Sequence, residues 1–183
     1  MRSAFTSLAA ALGILLGAGA SGAAAQASRW SFEGRLNVTV PVGDLSDAGA
    51  ESGLGLGADV YYTFMRNMSA YAGLSRHAFN CEGAGCDDAT STGLQAGVKL
   101  LFGAERRAMA WAGGGIMLHK ADFDGDESDL TLGGELGGGI DLMLSPRFAL
   151  APSLRFHTYP ADFGVRELDM SYFTISLGTH FHF

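Results

Sequence analysis

Nearly every segment of the chain beyond its first residues alternates apolar and polar side chains with a period of two. The last twelve residues, YFTISLGTHFHF, place apolar or nearly apolar side chains at every second position. The same alternation runs through RWSFEGRLNVTVPVG, GLGLGADVYYTF, GLQAGVKLLF, LTLGGELGGGIDLML and RFALAPSLRFH. Because this is the period of a β-strand with two different faces, the pattern predicts an all-β chain.

The alternation and the turns between its segments predict eight strands. They cover residues 30–42, 53–65, 69–79, 91–103, 107–119, 129–143, 147–157 and 170–183. Tight turns alternate with longer connections, which lie at 43–52, 80–90, 120–128 and 158–169. This arrangement is typical of an eight-stranded antiparallel up-and-down transmembrane β-barrel. Pro41 and Pro152 fall inside predicted strands, where we expect a bulge or an irregular strand end.

The first 27 residues have the composition of a secretory signal peptide. Arg2 precedes an apolar run from about Leu8 to Ala18, and small residues follow it. Cleavage after Ala25 or Ala27 would satisfy the preference for small residues at the cleavage site. We therefore predict a cleaved signal peptide at 1–27 and a barrel domain at 28–183. An uncleaved anchor helix is less favoured because the apolar run is short.

The charge and the cysteines fit an exported protein. With 12 basic and 19 acidic residues the net charge is −7, which argues against a nucleic-acid partner. Cys81 and Cys86 are predicted to form a disulfide that closes a small loop. Asp122, Asp124 and Asp126 have the carboxylate spacing of a calcium loop, but its glycine is displaced and its final glutamate is missing. They are only a weak metal candidate, and no cofactor is predicted.

One row of side chains is apolar, and the other carries charges and many glycines. The polar row contains Glu33, Arg35, Asp59, Gln95, Lys99, Glu135, Asp141, Arg155, His157, His180 and His182. An eight-stranded barrel has room inside only for side chains, and a charge facing lipid costs about 2–4 kcal/mol at mid-depth. We therefore predict that the polar row forms a network inside the barrel. A soluble barrel with the opposite facing is the alternative. The facing of strands 69–79 and 107–119 stays open because their alternation is weak.

The aromatic residues of the predicted strands sort by strand end. If the short turns lie on the periplasmic side, a girdle at that end comprises Trp30, Phe32, Phe64, Phe102, Phe148, Phe181 and Phe183. Phe79, Phe156 and Phe173 fall toward the other end. Two aromatic rings, one at each interface, are expected of a membrane barrel.

The leader, the alternating strands and the terminal THFHF together resemble the small outer-membrane β-barrels of Gram-negative bacteria. That group includes the OmpA transmembrane domain and the OmpX and Opa-like proteins, and VPVGDLSDAGAESGLGLGADVYYTF looks like its first hairpin. The resemblance implies an outer-membrane protein with a structural or surface-interaction role. It also implies contact with outer-membrane lipids and lipopolysaccharide, recognition of the last strand by the barrel-assembly machinery, and a monomer.

Two other functions stay open. A narrow pore for small solutes would need a conducting interior, whereas a Glu135–Arg155 pair, expected if the flanking strands pair around Ser145, favours a filled one. Lipid A deacylases of the PagL type are also eight-stranded barrels, with a His-x-Ser segment. The residue two past His157 is Tyr159, so the nucleophile is missing from that place and we predict no enzyme.

Overall fold

The computed structural model describes residues 29–81, 89–103, 107–123, 126–162 and 167–183. Its elements are β1 (Trp30–Val42), α1 (Asp44–Asp47), β2 (Ala50–Glu51), β3 (Gly53–Met65), β4 (Met68–Cys81), β5 (Ala89–Phe102), β6 (Ala108–Phe123), β7 (Asp126–Glu127), β8 (Thr131–Ser145), β9 (Phe148–Asp162) and β10 (Glu167–His182). Within these ranges, no helix has the length and apolar character that crossing a membrane requires. The predicted signal peptide lies outside the described residues and stays a prediction.

Eight of the strands close into an antiparallel barrel. β1 pairs with β3 on one side and with β10 on the other, and the ring continues through β4, β5, β6, β8 and β9. A closed ring leaves no strand edge with unpaired backbone N–H and C=O groups, which is what a lipid environment demands. The predicted fold class is confirmed, and all eight predicted strands are present. β6 and β9 extend further toward the longer loops than the sequence indicated.

The two ends of the barrel differ. At one end, here called the turn end, short connections join β3 to β4, β5 to β6 and β8 to β9, and the chain enters β1 and leaves β10. The opposite end, the loop end, carries the longer connections with α1, β2 and β7. β2 pairs with the end of β4, and β7 pairs with β6. The one-turn helix α1 was not predicted, because four residues are too few to establish a helical period.

A buried apolar cluster fills the loop end of the barrel interior. It consists of Leu45, Ala50, Phe79, Ala89, Met117, Ala121, Tyr159, Ala161, Leu168, Met170 and Tyr172. Leu45 of α1 has no exposed surface, so the short helix contributes a side chain to this cluster. Phe79 is also fully buried, which corrects its assignment to an aromatic ring on the outer surface. Its strand turns its odd-numbered side chains inward, a facing that the sequence left open.

The polarity of the barrel is the reverse of a water-soluble protein. Large apolar side chains are exposed on the outer wall all round the barrel, among them Leu36, Leu54, Leu136, Leu154 and Ile175. Charged residues, by contrast, are buried inside it. Aromatic residues lie at the turn end of this wall, with Trp30, Phe64, Phe102, Phe148 and Phe183 all substantially exposed. Phe32 and Phe181 are half-buried at the same level, where they face each other across β1 and β10.

The two prolines within strands disturb the backbone pairing little. Pro41 lies beyond Thr39, the last β1 residue paired with β3, so its missing N–H falls where that ladder has already ended. Pro152 keeps the β9–β10 register, but its pairing with β8 lapses between Ser153 and Leu150 without a change of register. The bulge in that hairpin lies closer to the turn instead, between Met143 and Ser145.

Candidate functional site

The centre of the barrel interior holds a network of ionised groups around Asp59. The Arg35 guanidinium donates to the Asp59 carboxylate, and Gln95 Nε2 donates to Asp59 Oδ1 over 2.7 Å. Arg155 Nη2 lies 3.8 Å from Asp59 Oδ2. The hydroxyl of Tyr61 donates to Glu33 Oε2 over 2.6 Å. Charges this deeply buried need such partners, because an unpaired ion in a dry interior costs several kcal/mol.

A second set of contacts surrounds Glu135. The hydroxyl of Tyr71 donates to Glu135 Oε1 over 2.5 Å, and Arg155 Nη1 and His157 Nδ1 lie 3.7 and 3.5 Å from Oε2. The predicted register is wrong, because Glu135 stands opposite His157, and Arg155 stands opposite Gly137. The hairpin turns around Pro146 and Arg147 and then bulges, which displaces the partner by two residues. Arg155 still reaches Glu135 diagonally.

Toward the turn end, an ion pair lies between two strands inside the barrel. Lys99 Nζ donates to both carboxylate oxygens of Asp141, over 3.0 and 2.8 Å. The same ammonium group lies 4.7 Å from the Trp111 ring centroid and 5.1 Å from that of Tyr61. His180 lies nearby, with Nδ1 4.0 Å from Asp141 Oδ2. This pair joins β5 to β8 over the intervening strand β6.

The two C-terminal histidines lie near the mouth at the turn end. His180 Nε2 is 2.8 Å from Ser31 Oγ, and the rings of His180 and His182 are 4.6 Å apart. His182 is only half-buried, so of the predicted interior residues it is the one nearest to solvent. Both rings make contacts that a packing role explains.

Nearer the loop end, three histidines and two tyrosines fill the interior. His77 has its ring centroid 5.4 Å from that of His157 and 6.3 Å from that of His119. Tyr172 stacks on His157 at 4.9 Å, and Tyr159 lies 5.6 Å from His119. A hydrogen-bonded chain also runs here, in which Tyr159 donates to Ser91 and Ser91 Oγ lies 2.8 Å from His119 Nδ1.

Several side chains of this interior were not among the predicted residues. His77 and His119 were missed because they lie on β4 and β6, whose facing the alternation did not decide. Tyr61 follows Asp59 by two positions in the polar row, so strict period two would have found it. Tyr71 and Trp111, whose facing was also left open, both point inward and are buried.

Glycines make room for the charged side chains at two close approaches. A Cβ on Gly73 would lie 2.0 Å from Asp59 Oδ1 and 2.2 Å from a backbone carbonyl oxygen of β3. A Cβ on Gly57 would lie 2.7 Å from Arg35 Nε. Because the lumen of an eight-stranded barrel is narrow, these positions are taken by glycine where an opposing side chain is large.

The metal and disulfide predictions are not tested by the described residues. Asp122 is the next-to-last residue of β6, Asp124 lies outside the described ranges, and Asp126 belongs to β7. No three His, Cys, Asp or Glu residues are grouped to hold a metal ion in the part of the chain that the structure describes. Cys81 ends β4, but Cys86 lies outside the described residues, so the disulfide stays a prediction.

The geometry of the barrel can be compared with known proteins. The sequence matches no protein-family model and no curated protein. The structure is similar to neisserial surface protein A, with a TM-score of 0.69, 14% identity, and coverage of 87% of this chain and 100% of that one. Its fold is that of the small outer-membrane β-barrels.

Two barrels of Pseudomonas aeruginosa are also similar to this chain. The outer membrane protein OprG matches with a TM-score of 0.58 and 15% identity, over 86% of this chain and 98% of that one. The N-terminal β-barrel domain of OprF matches with a TM-score of 0.53 and 15% identity, over 86% and 100%. At these identities the similarity establishes the fold.

Proposed function

We propose that the protein is an integral outer-membrane barrel of a Gram-negative bacterium, with a structural or surface-interaction role. The observation that carries this proposal is the reversed polarity of the barrel. Leu54, Leu136 and Leu144 are 72%, 68% and 67% exposed on the outer wall, whereas Arg35, Asp59 and Arg155 are buried inside. In water, a protein with such an apolar wall would aggregate, whereas in lipid the apolar wall is the favourable surface.

The filled interior supports the structural role over the pore. Hydrogen bonds and ion pairs cross the lumen, as between Tyr71 and Glu135 or between Arg155 and Asp59. The apolar cluster, to which the fully buried Leu45 belongs, fills the loop end of the barrel. A solute path would have to break buried ion pairs, each at a cost of about 3–5 kcal/mol. The narrow pore is therefore the second candidate.

The environment of His157 argues against a lipid A-modifying enzyme. Its side chain is 1% exposed and points into the lumen, where Nε2 lies 3.1 Å from Thr174 Oγ1 and the ring stacks on Tyr172. A lipid approaching along the outer wall does not reach this ring. A catalytic histidine needs hydrogen-bond access to a reacting group of the substrate, so the proposal includes no enzymatic activity.

The partners of the proposed protein follow from its place in the membrane. Outer-membrane lipids and lipopolysaccharide surround the apolar wall, and the barrel-assembly machinery recognises β10, whose outward row includes Phe173, Ile175 and Leu177. The ring closes on itself within one chain, which supports a monomer.

The proposal is tested by fractionation, gel mobility and conductance of the same preparation. We expect the protein in the outer-membrane fraction. We also expect it to need detergent to stay dispersed and to migrate differently on a gel before and after boiling. Reconstituted in planar bilayers, it is expected to leave the conductance unchanged. Discrete channel openings would favour the pore instead, and a folded protein that stays soluble without detergent would refute the membrane assignment.

A further inference from the structure

A row of polar side chains lies on the outer wall at the border between the apolar belt and the loop end. Arg76 of β4 stands opposite Thr92 of β5, and Thr92 stands opposite Lys120 of β6. All three face outward, with Arg76 and Thr92 exposed and Lys120 half-buried. Neighbouring strands are about 4.8 Å apart, so the two cations are separated by about 10 Å at the backbone. Their long side chains can therefore converge on one anionic group.

These two cations are set apart from the other basic residues of the described ranges. Three of the others, Arg35, Lys99 and Arg155, are buried in the lumen. The remaining ones lie at the turn end: Arg29, Arg66, Arg107 and Arg147. Lys120 makes an ion pair with Glu127 over 2.6 Å, but the two side chains are 40% and 60% exposed, and ion pairs with this much access to solvent are weak.

An apolar groove lies below this row on the same three strands, beyond one row of leucines. Leu74, Leu94 and Leu118 form the next outward row toward the middle of the belt. One row further, Ala72 and Ala96 stand side by side, between the larger Val60 and Ile116 on the flanking strands. The two alanines form the floor of a groove whose walls are leucine, valine and isoleucine side chains. A groove of this kind takes an alkyl chain, because small residues let the chain approach the backbone closely while its neighbours cover it.

We propose that Arg76, Thr92 and Lys120 bind the phosphate of one outer-leaflet glycolipid of the lipid A class, with an acyl chain in the groove below. This assignment rests on the proposed membrane location, which brings the loop end to the outer leaflet. Arginine and lysine are the side chains that bind phosphate, through charge-assisted hydrogen bonds, and Thr92 adds a hydroxyl between them. The height of the row fits as well, because the polar head group begins where the apolar belt ends.

Binding of an acyl-labelled diphosphoryl lipid A to the folded protein in detergent micelles tests the site. The double variant R76A/K120A is expected to raise the Kd about tenfold or more, since each lost contact is a charge-assisted one. The matched control R66A/R147A removes two exposed cations from the turn end and is expected to leave the Kd unchanged. Equal weakening in both variants would show a general charge effect and would overturn the site.

Two further measurements separate the head group from the chain. Dephosphorylated lipid A is expected to bind the unaltered protein at least about tenfold more weakly, and equal binding would overturn the phosphate contact. The variant A72L/A96L fills the groove but keeps both cations, so weaker binding of the labelled lipid is expected, and unchanged binding would remove the groove from the site. Gel mobility before and after boiling shows that each variant is folded. Because membrane insertion is read from the same gels, a failed lipid site is distinguishable from a failed membrane assignment.

Discussion

Removing one partner of the buried Lys99–Asp141 pair tests how the interior holds the barrel together. The variant D141A leaves the Lys99 ammonium in a site that is 3% exposed, without the two hydrogen bonds of 3.0 and 2.8 Å. Each bond to a charged group contributes about 1.5–3 kcal/mol, and breaking a buried ion pair costs about 3–5 kcal/mol. We therefore expect D141A to lower the free energy of unfolding by about 3–5 kcal/mol. The aromatic rings of Tyr61 and Trp111 stay in place and keep the loss toward the lower end.

The double variant K99M/D141A shows how much of the destabilisation in D141A comes from leaving the Lys99 charge without a partner. With both charges removed no ion is left unpaired, so we expect it to be more stable than D141A, with a coupling energy of about 2–3 kcal/mol. Urea unfolding in detergent micelles, followed by tryptophan fluorescence, measures these differences. E127A is the matched control, since it breaks the exposed pair with Lys120 and should cost less than about 1 kcal/mol. A loss below about 1 kcal/mol in D141A, or additive effects in the double variant, would refute the reasoning.

Three further tests concern the wall, the lumen and the loop end, and the first two include a control substitution. Each is measured as the free energy of unfolding in lipid vesicles or micelles. Leu136→Lys at the middle of the apolar belt should cost about 2–4 kcal/mol in vesicles, and Leu54→Lys near the loop end about 1 kcal/mol; equal costs would contradict the membrane depth. Gly73→Ala should cost about 1–3 kcal/mol because its Cβ has no space, whereas Gly34→Ala, with its nearest atom at 3.8 Å, should be nearly neutral. Leu45→Ala should cost about 2–5 kcal/mol and increase amide exchange at the loop end, and unchanged exchange would show that α1 does not hold that end.

The sequence predicted the strands well because alternation is a local property. Where the outward row is Leu, Val or Phe, as in β1 and β10, the contrast with the inward row also decided the facing. Where the outward row contains small residues, as at Ala70 and Ala72 of β4, the contrast weakens, and His77 was missed for that reason. The facing of a strand is therefore predictable only where its two rows differ clearly in polarity.

The partners of the charged residues could not be predicted in the same way. The pairing of Glu135 depends on a bulge next to Pro146, and one displaced turn shifts every residue of the hairpin relative to its neighbour. The cation row on the outer wall depends on the register of three strands at once. Arg76, Thr92 and Lys120 are far apart in the sequence, and only the ladder places them side by side.

The reversed polarity also decides where the protein can act. In lipid, the outer wall gains little from packing against anything else, because acyl chains are as apolar as leucine, so stability must come from the backbone ladder and the polar interior. Interior groups such as Asp59 and Arg155 stabilise one another as ion pairs. A substitution that opened the interior for transport or catalysis would break these pairs and lower the stability of the barrel. The surfaces left free to bind a partner are the loop end and the rim of the wall just below it. The row of Arg76 and Lys120 lies on that rim, where binding a ligand would not disturb the ion pairs of the interior.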